Sequence, residues 1–177
     1  MYIKMYIREL RAEEINTELF KGFQRHQKVT KCWRKEEGQW VIKDVPFIDQ
    51  WTPEEYAFLA ECLKNTLVTG GMVYGAFYEG KLKGFTSVEG TPLGSREQYR
   101  DLSSLRISEE MRGHGIGKKL FILAADWARN NGGEKLYISA HSSVETQSFY
   151  KAMGCIEAEE YNEVHVKEEP YDCQLEY

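Results

Sequence analysis

The stretch "RGHGIG" at residues 112–117, followed by "KKLFILAADWARN" at residues 118–130, places three glycines at alternate positions directly ahead of an amphipathic segment. Ile116, Leu120 and Trp127 recur at helical spacing, so the pattern predicts a helix that begins at the glycines. A glycine turn at a helix start exposes unpaired backbone N–H groups, where the helix dipole favours an anion. The stretch therefore predicts either a phosphate-binding loop or a tight turn that serves only the chain itself.

Two common nucleotide motifs do not fit this glycine spacing. A Walker loop requires G-x-x-x-x-G-K-[ST], but here Lys118 is followed by Lys119 and Gly113 lies only four residues before Gly117. A Rossmann fingerprint requires G-x-G-x-x-G directly after its strand, whereas here the order is G-x-G-x-G and a short connection intervenes. The sequence therefore excludes both of these loops.

The residues around the loop predict an alternation of strands and helices. Upstream, "YRDLSSLRI" at 99–107 predicts a strand, and downstream, "KLYISA" at 135–140 predicts a strand and "VETQSFYKAM" at 144–153 a short helix. Further elements are expected as a helix at residues 13–23 and as strands at residues 2–7, 72–78, 82–88 and near 155–161 and 171–177.

The strongest helix signal lies in the first half of the chain. Thr52, with Glu55 three residues later, forms a capping box that opens a helix, and Gly70 follows its last apolar residue. Gly80 can take the positive φ of a hairpin turn between the next two strands. Residues 26–51, by contrast, mix three tryptophans with many charges and lack one sustained period, so we expect a partly irregular excursion.

Composition restricts the class of protein. With 177 residues, 42% of them hydrophobic, we expect one domain spanning residues 1–177. The chain has no apolar run long enough for a membrane span, and its net charge of -5 argues against a nucleic-acid partner. Cys32, Cys62, Cys155 and Cys173 form no C-x-x-C pair and no zinc-type cluster, so we expect reduced thiols, no metal site and a cytoplasmic location.

Two motifs around the loop resemble those of the GNAT superfamily of acyl-CoA-dependent N-acetyltransferases. The family loop [RQ]-x-x-G-x-[GA] is matched at residues 112–117, after Ile107 at an aliphatic strand end. Farther on, Phe149 and Tyr150 match an aromatic pair and Gly154 a glycine turn. The resemblance covers roughly residues 72–156 and implies an α/β fold, in which about four helices flank a mixed, mostly antiparallel sheet of about six or seven strands with splayed parallel central strands.

The resemblance implies acetyl-CoA as co-substrate and acetyl transfer to a primary amine of a small molecule or peptide, by direct attack in a ternary complex. Backbone amides of the glycine loop would hold the pyrophosphate, and the strand before the loop would pair with the pantetheine arm. The amide of Ile107 would polarise the thioester carbonyl. The implied cofactor-binding residues are Leu105, Arg106, Ile107, Arg112, Gly113, His114, Gly115, Ile116, Gly117, Lys118 and Ser143.

The same resemblance implies catalytic roles. Tyr150 stands where the family carries its usual general acid, which protonates the departing thiolate; its alternative role is packing in the core. Asp101 stands six positions before Ile107, where some family members carry the base, and the alternation of strand side chains predicts that it shares a face with Leu105 and Ile107. Glu89 is a reserve base, and His141 a second candidate for acid–base work.

The acceptor amine is not specified by any motif. Trp33, Trp40 and Trp51 are candidates for a pocket wall, and their alternative role is to anchor residues 26–51 to the core or to form a homodimer surface. No cysteine stands where an acyl carrier would, which favours direct transfer. Two alternatives remain open, a non-catalytic CoA-binding module or sensor of the same fold and an interaction domain that binds no CoA.

Overall fold

A seven-stranded mixed sheet organises the computed structural model, which describes residues 5–177. The strands are β1 (Met5–Glu9), β2 (His26–Glu36), β3 (Gln39–Gln50), β4 (Met72–Tyr78), β5 (Lys81–Val88), β6 (Tyr99–Ile107), β7 (Lys135–Ala140), β8 (Ile156–Glu157) and β9 (Cys173–Glu176). The helices are α1 (Pro53–Val68), α2 (Ile116–Asn130), α3 (Val144–Met153) and α4 (Glu163–Glu168). Among these residues, none of the helices combines the length and apolar character that a membrane crossing requires.

The order of the main sheet is β1-β4-β5-β6-β7-β9-β8, and β2 pairs only with β3. All neighbours in the main sheet are antiparallel except β6 and β7. This parallel pair holds only from Tyr99 to Asp101 on β6 and from Lys135 to Tyr137 on β7, after which the strands separate. The expected α/β fold with splayed central strands is confirmed.

The helix α1 and the β4–β5 hairpin lie where the capping and turn residues of the sequence predicted them. The Thr52 hydroxyl accepts from the Glu55 N–H at 3.2 Å, which caps the first turn of α1, and Gly70 at φ 89° follows the helix end. In the hairpin turn, Glu79 at φ 50° and Gly80 at φ 77° both take the left-handed conformation that a two-residue type I′ turn requires.

The expectation of an irregular excursion over residues 26–51 is wrong, because β2 and β3 form one long antiparallel hairpin. Glu37 at φ 49° and Gly38 at φ 77° make its tight turn. The register shifts between Val29 and Lys31, and most side chains on both faces reach solvent, so the apolar residues follow no simple alternation.

Two other expectations need correction. Residues 13–23 form no α-helix but two 3₁₀ turns, Ala12–Glu14 and Thr17–Phe20, because the Asn16 side chain accepts from the Leu19 N–H and starts a second turn. The strand near 155–161 shrinks to β8, and the unpredicted α4 follows it. Of the strand expected at 2–7, residues 2–4 lie outside the described residues.

Candidate functional site

A central groove of about 880 Å³ opens where β6 and β7 separate. Its walls come from β6, the glycine loop, the start of α2, the end of β7, α3 and α4, and Asp49 of β3 reaches it from the long hairpin. Of the sequence-predicted residues, the groove brings together Leu105, Arg106, Ile107, Arg112, Gly113, Gly115, Ile116, Gly117, Lys118, Asp101, His141 and Tyr150.

The three glycines of the loop do different work. Gly113 and Gly115 both have φ 80°, a conformation that favours glycine, and a Cβ built on either meets nothing within 4 Å. A Cβ on Gly117 would instead lie 3.2 Å from the Phe149 ring, so this glycine lets α2 pack closely on α3. The first two glycines therefore leave open space beside the backbone, and the third serves packing.

The start of α2 is suited to an anion. Its first intrahelical bond runs from the Lys119 N–H to the Gly115 carbonyl at 3.2 Å, so the three preceding amides have no partner within the helix. The first turns of α1, α3 and α4 carry acidic side chains, whereas that of α2 carries none. Arg112 and Lys118 lie exposed at this helix end, and both line the central groove.

The backbone of β6 presents to the groove an edge that pairs with no strand of residues 5–177, although its Leu105 carbonyl accepts from Nη1 of Arg106. The Ser108 N–H donates to the Lys83 carbonyl at 2.8 Å, so Ser108 bonds to the side of β5. In an antiparallel pair every second residue bonds to the neighbouring strand, and the residues between point their N–H and C=O groups the other way. Leu105 and Ile107 are such residues, and their backbone groups face the gap left by β7. We call this the free edge of β6.

The predicted face of Asp101 is wrong. Between β5 and β6, Ser87 pairs with Ser104 but Val88 pairs with Leu102, so Ser103 is an extra residue in β6. This bulge reverses the alternation, and Leu102 joins Leu105 and Ile107 on the face covered by α2. Asp101 therefore lies on the opposite face, which it shares with Ser104 and Arg106.

Asp101 forms a pair with a histidine that the sequence analysis missed. Its Oδ2 lies 2.8 Å from Nε2 of His165 on α4, and its Oδ1 is buried without a hydrogen-bond partner among residues 5–177. The hydrogen bond to Asp101 raises the pKa of His165 above its ordinary value. The His165 ring stacks on Tyr137 at 5.7 Å, which fixes its orientation.

Tyr150 is buried at the groove, between Phe121 and Phe149. Burial raises the pKa of its phenol to about 12, so the group keeps its proton at neutral pH. No hydrogen bond from the described residues occupies its hydroxyl, whereas the hydroxyl of Tyr137 accepts from the Asn162 N–H at 2.8 Å and donates to the Gln174 side chain. The packing role and a role in proton donation are thus compatible for Tyr150.

Other predicted residues have local structural roles or lie outside the groove. The Ser143 hydroxyl caps α3 by accepting from the Thr146 N–H at 3.2 Å, and Ser143 does not line the groove. His114 is exposed beside it. Glu89 does not line the groove; its carboxylate accepts from the Thr66 hydroxyl at 2.8 Å and from the hydroxyl of the groove residue Ser103 at 3.2 Å. His141 lines the groove, and its Nδ1 accepts from the Ser143 N–H at 3.0 Å, which leaves Nε2 as the protonated nitrogen of the neutral ring.

None of the three tryptophans lines the central groove. Trp33 and Trp40 border a separate, mostly apolar cavity of about 410 Å³ between the long hairpin, α3 and β9. Trp51 packs edge-on against Tyr56 and near Phe85, in the core. Trp51 thus anchors the end of the hairpin to the core, whereas Trp33 and Trp40 form part of a cavity wall away from the central groove.

Cysteines are likewise absent from the groove among residues 5–177. Cys155 and Cys173 border the separate cavity, and burial raises the pKa of each thiol to about 12. The pKa of the exposed Cys62 is also raised, by partial burial. A thiol with a raised pKa is a poor nucleophile at neutral pH.

Residues 29–155 match the family model described as the acetyltransferase (GNAT) family. The chain belongs to the GNAT family of acetyltransferases. The glycine loop, the free edge and Tyr150 all fall inside the matched range, so the resemblance seen in the sequence is confirmed. A search of the curated proteins gives no significant match.

Solved structures of GNAT type share the fold along almost the whole chain. A nourseothricin acetyltransferase has a TM-score of 0.64 at 15% identity, covering 97% of this chain and 95% of its own. A proposed streptothricin acetyltransferase from Bacillus anthracis str. Ames, in complex with acetyl coenzyme A, has a TM-score of 0.71 at 16% identity; the match covers 98% of this chain and 96% of the other. PaiA N-acetyltransferase from Thermoplasma acidophilum, in complex with coenzyme A, has a TM-score of 0.60 at 18% identity, and the match covers 98% of each chain. At these identities the likeness shows the fold.

Proposed function

We propose that this GNAT protein transfers an acetyl group from acetyl-CoA to a primary amine by direct attack in a ternary complex. The observation that carries the proposal is the opening of the β6–β7 gap onto the glycine loop, which joins an unpaired strand edge and an anion-ready helix start in one groove. The residues fit the co-substrate because a Cβ on Gly113 or Gly115 would meet open space, which leaves room for phosphates beside the amides.

The groove residues have separable roles in this proposal. Amides at the start of α2 bind the pyrophosphate, and the free edge at Leu105 and Ile107 pairs with the amides of the pantetheine arm. The Ile107 N–H stabilises the negative charge that develops on the thioester oxygen. Arg112 and Lys118 add positive charge at the phosphate end.

Two groups handle protons during the transfer. Tyr150, protonated because burial raises its pKa to about 12, donates to the departing thiolate. Asp101 accepts the proton that the amine loses, directly or through water; its Oδ2 bonds to His165, and its Oδ1 is buried without a protein partner among the described residues. The groove offers no cysteine of the described residues as an acyl carrier, which supports direct transfer over a covalent acetyl-enzyme.

Calorimetric titration with acetyl-CoA, followed by thiol-release assays on a panel of amines, tests the proposal. The loop variant Gly115→Glu has a matched control in Gly38→Glu, because Gly38 has φ 77° and equally open surroundings but lies in the distant β2–β3 turn. We expect micromolar binding in the wild type and in Gly38→Glu, and none in Gly115→Glu. Binding without thiol release on any amine would favour the CoA-binding module, and absence of binding in the wild type would refute the proposal.

A further inference from the structure

Two guanidinium groups line the central groove from different elements, Arg106 on β6 and Arg25 just before β2. The Arg25 side chain is only 9% exposed, lies over the Trp51 ring at 5.4 Å and pairs with Asp49 at 2.5 Å. Burial, and next the nearby charge of Arg106, lower the pKa of Arg25 to about 10. The two cations therefore act on one another inside the groove.

Their charges are not equally balanced. Arg25 has Asp49 as counterion, but Arg106 makes no ion pair with any residue from 5 to 177. Its Nη1 donates to the Leu105 carbonyl at 3.0 Å, and its Nε is buried without a partner. The Nε of Arg25 is likewise buried and unpartnered. The groove thus contains a guanidinium that makes no ion pair with these residues, and each arginine keeps one buried N–H without a partner.

Two acids of the groove have hydrogen-bond partners other than Arg106. Asp172 accepts from the Ser139 hydroxyl at 3.0 Å, although its charge and that of Arg106 interact without contact, and Asp101 pairs with His165. Arg106 is half-buried and makes no ion pair with the rest of residues 5–177, and its planar N–H fork matches a carboxylate well. A carboxylate in the groove would accept from Nη2 of Arg106, which is not buried and makes no hydrogen bond among the described residues.

The position of Arg106 indicates which ligand supplies that anion. Leu105 and Ile107 face α2, whereas Arg106 points to the opposite face of β6, on the side of Phe85 and Arg25. The phosphates of acetyl-CoA belong at the α2 end in the proposed function. The anion beside Arg106 therefore belongs to the acceptor, next to the edge at which transfer takes place.

We propose that the acceptor is an amine that carries a carboxylate, of the amino-acid class, and that Arg106 binds this carboxylate with support from Arg25. This inference rests on the proposed acetyl transfer and names the acceptor class for the same groove. It predicts discrimination between an amino acid and its neutral amide, because loss of a charged hydrogen-bond partner is worth about 10- to 100-fold in affinity.

The test compares thiol release for each L-amino acid, its primary amide and its decarboxylated amine, with spermidine as a polycationic acceptor. The variants are Arg106→Met, Arg106→Lys and the surface control Arg96→Met, whose side chain is 68% exposed. We expect at least one amino acid to exceed its amide about 10-fold or more in kcat/KM. Arg106→Met abolishes that preference, Arg106→Lys restores part of it and Arg96→Met retains it. Thermal melts verify that each variant folds.

Each other outcome has a defined meaning. Equal turnover of acid and amide, or a preference for spermidine, overturns the inference while the proposed function stands. Acetyl-CoA binding without turnover of any amino acid also overturns it. A rise in the KM of acetyl-CoA larger than that of the acceptor in Arg106→Met would assign the guanidinium to the co-substrate instead. Failure of acetyl-CoA to bind wild-type protein in calorimetry refutes the proposed function itself.

Discussion

Removing one oxygen atom from Tyr150 separates its packing role from its proposed catalytic role. In Tyr150→Phe the ring keeps its contacts with Phe121 and Phe149, at centroid distances of 6.2 and 5.2 Å, and no protein hydrogen bond among the described residues is lost. We therefore expect the free energy of unfolding to change by about 0.5 kcal/mol or less. Loss of a general acid lowers kcat about 10²- to 10⁴-fold, or about 3–5 kcal/mol in barrier.

Denaturant unfolding and steady-state thiol release measure the two effects, and Tyr137→Phe is the matched control. The Tyr137 hydroxyl bonds to the Asn162 N–H and to Gln174, so its loss costs about 1–3 kcal/mol of stability, with a much smaller fall in kcat than in Tyr150→Phe because the ring that orients His165 is kept. Because the pKa of Tyr150 is about 12, the wild-type phenol stays protonated from about pH 7 to 9, and the ratio of kcat between wild type and Tyr150→Phe stays constant over that range. Full kcat in Tyr150→Phe at every pH would refute the assignment of the acid.

Further variants test the base, the histidine pair and one packing glycine. Asp101→Asn lowers kcat about 100-fold or more, whereas Glu89→Gln, outside the groove, retains it; the opposite ranking in thiol release would move the base to Glu89. His165→Gln lowers the free energy of unfolding by about 1–3 kcal/mol at pH 5–6, and this difference from wild type shrinks as pH rises through the raised pKa of His165. Denaturant unfolding measures the difference, and a value that does not change with pH would contradict the charged pair. Gly71→Ala is destabilised by about 1–3 kcal/mol, because its Cβ would lie 2.4 Å from the Val88 carbonyl oxygen, and an unchanged melting temperature would disprove that close approach.

The features that could be read from the sequence are those determined within a few residues. The Thr52 cap, the Gly80 turn and the loop at 112–117 each depend on the backbone conformation of neighbouring positions. Their residue types report that conformation directly, because hydroxyl caps and positive φ values restrict the choice of amino acid. The order of elements followed from these points together with helical and strand periods.

The long β2–β3 hairpin was missed because it has no single buried face. Val29 and Cys32 are its fully buried apolar residues. They lie three positions apart in sequence, whereas a regular strand repeats its buried face every two, because the pairing register shifts between Val29 and Lys31. The pair Glu37-Gly38 was the available signal, since glycine in a two-residue turn between polar strands favours a hairpin.

The arrangement of the candidate site depended on contacts that periodicity does not encode. The extra residue Ser103 reverses the face of Asp101, and the partner His165 lies 64 positions away in sequence. The start of α4 carried one signal, Asn162, whose side chain accepts from the His165 N–H at 3.0 Å. Arg25 carried no sequence signal of this kind, because its place in the groove depends on the contact between the end of β3 and β6.

The separation of β6 from β7 also affects how the protein avoids unwanted pairing. An unpaired strand edge on the outside of a sheet can recruit any extended peptide and so promote aggregation. The edge at Leu105 and Ile107 is internal, with β5 behind it and β7 across the gap, whereas the outer edges of the sheet are β1 and the two-residue strand β8. The position of this edge inside the sheet thus removes it from the rim, where strands of different proteins pair edge to edge.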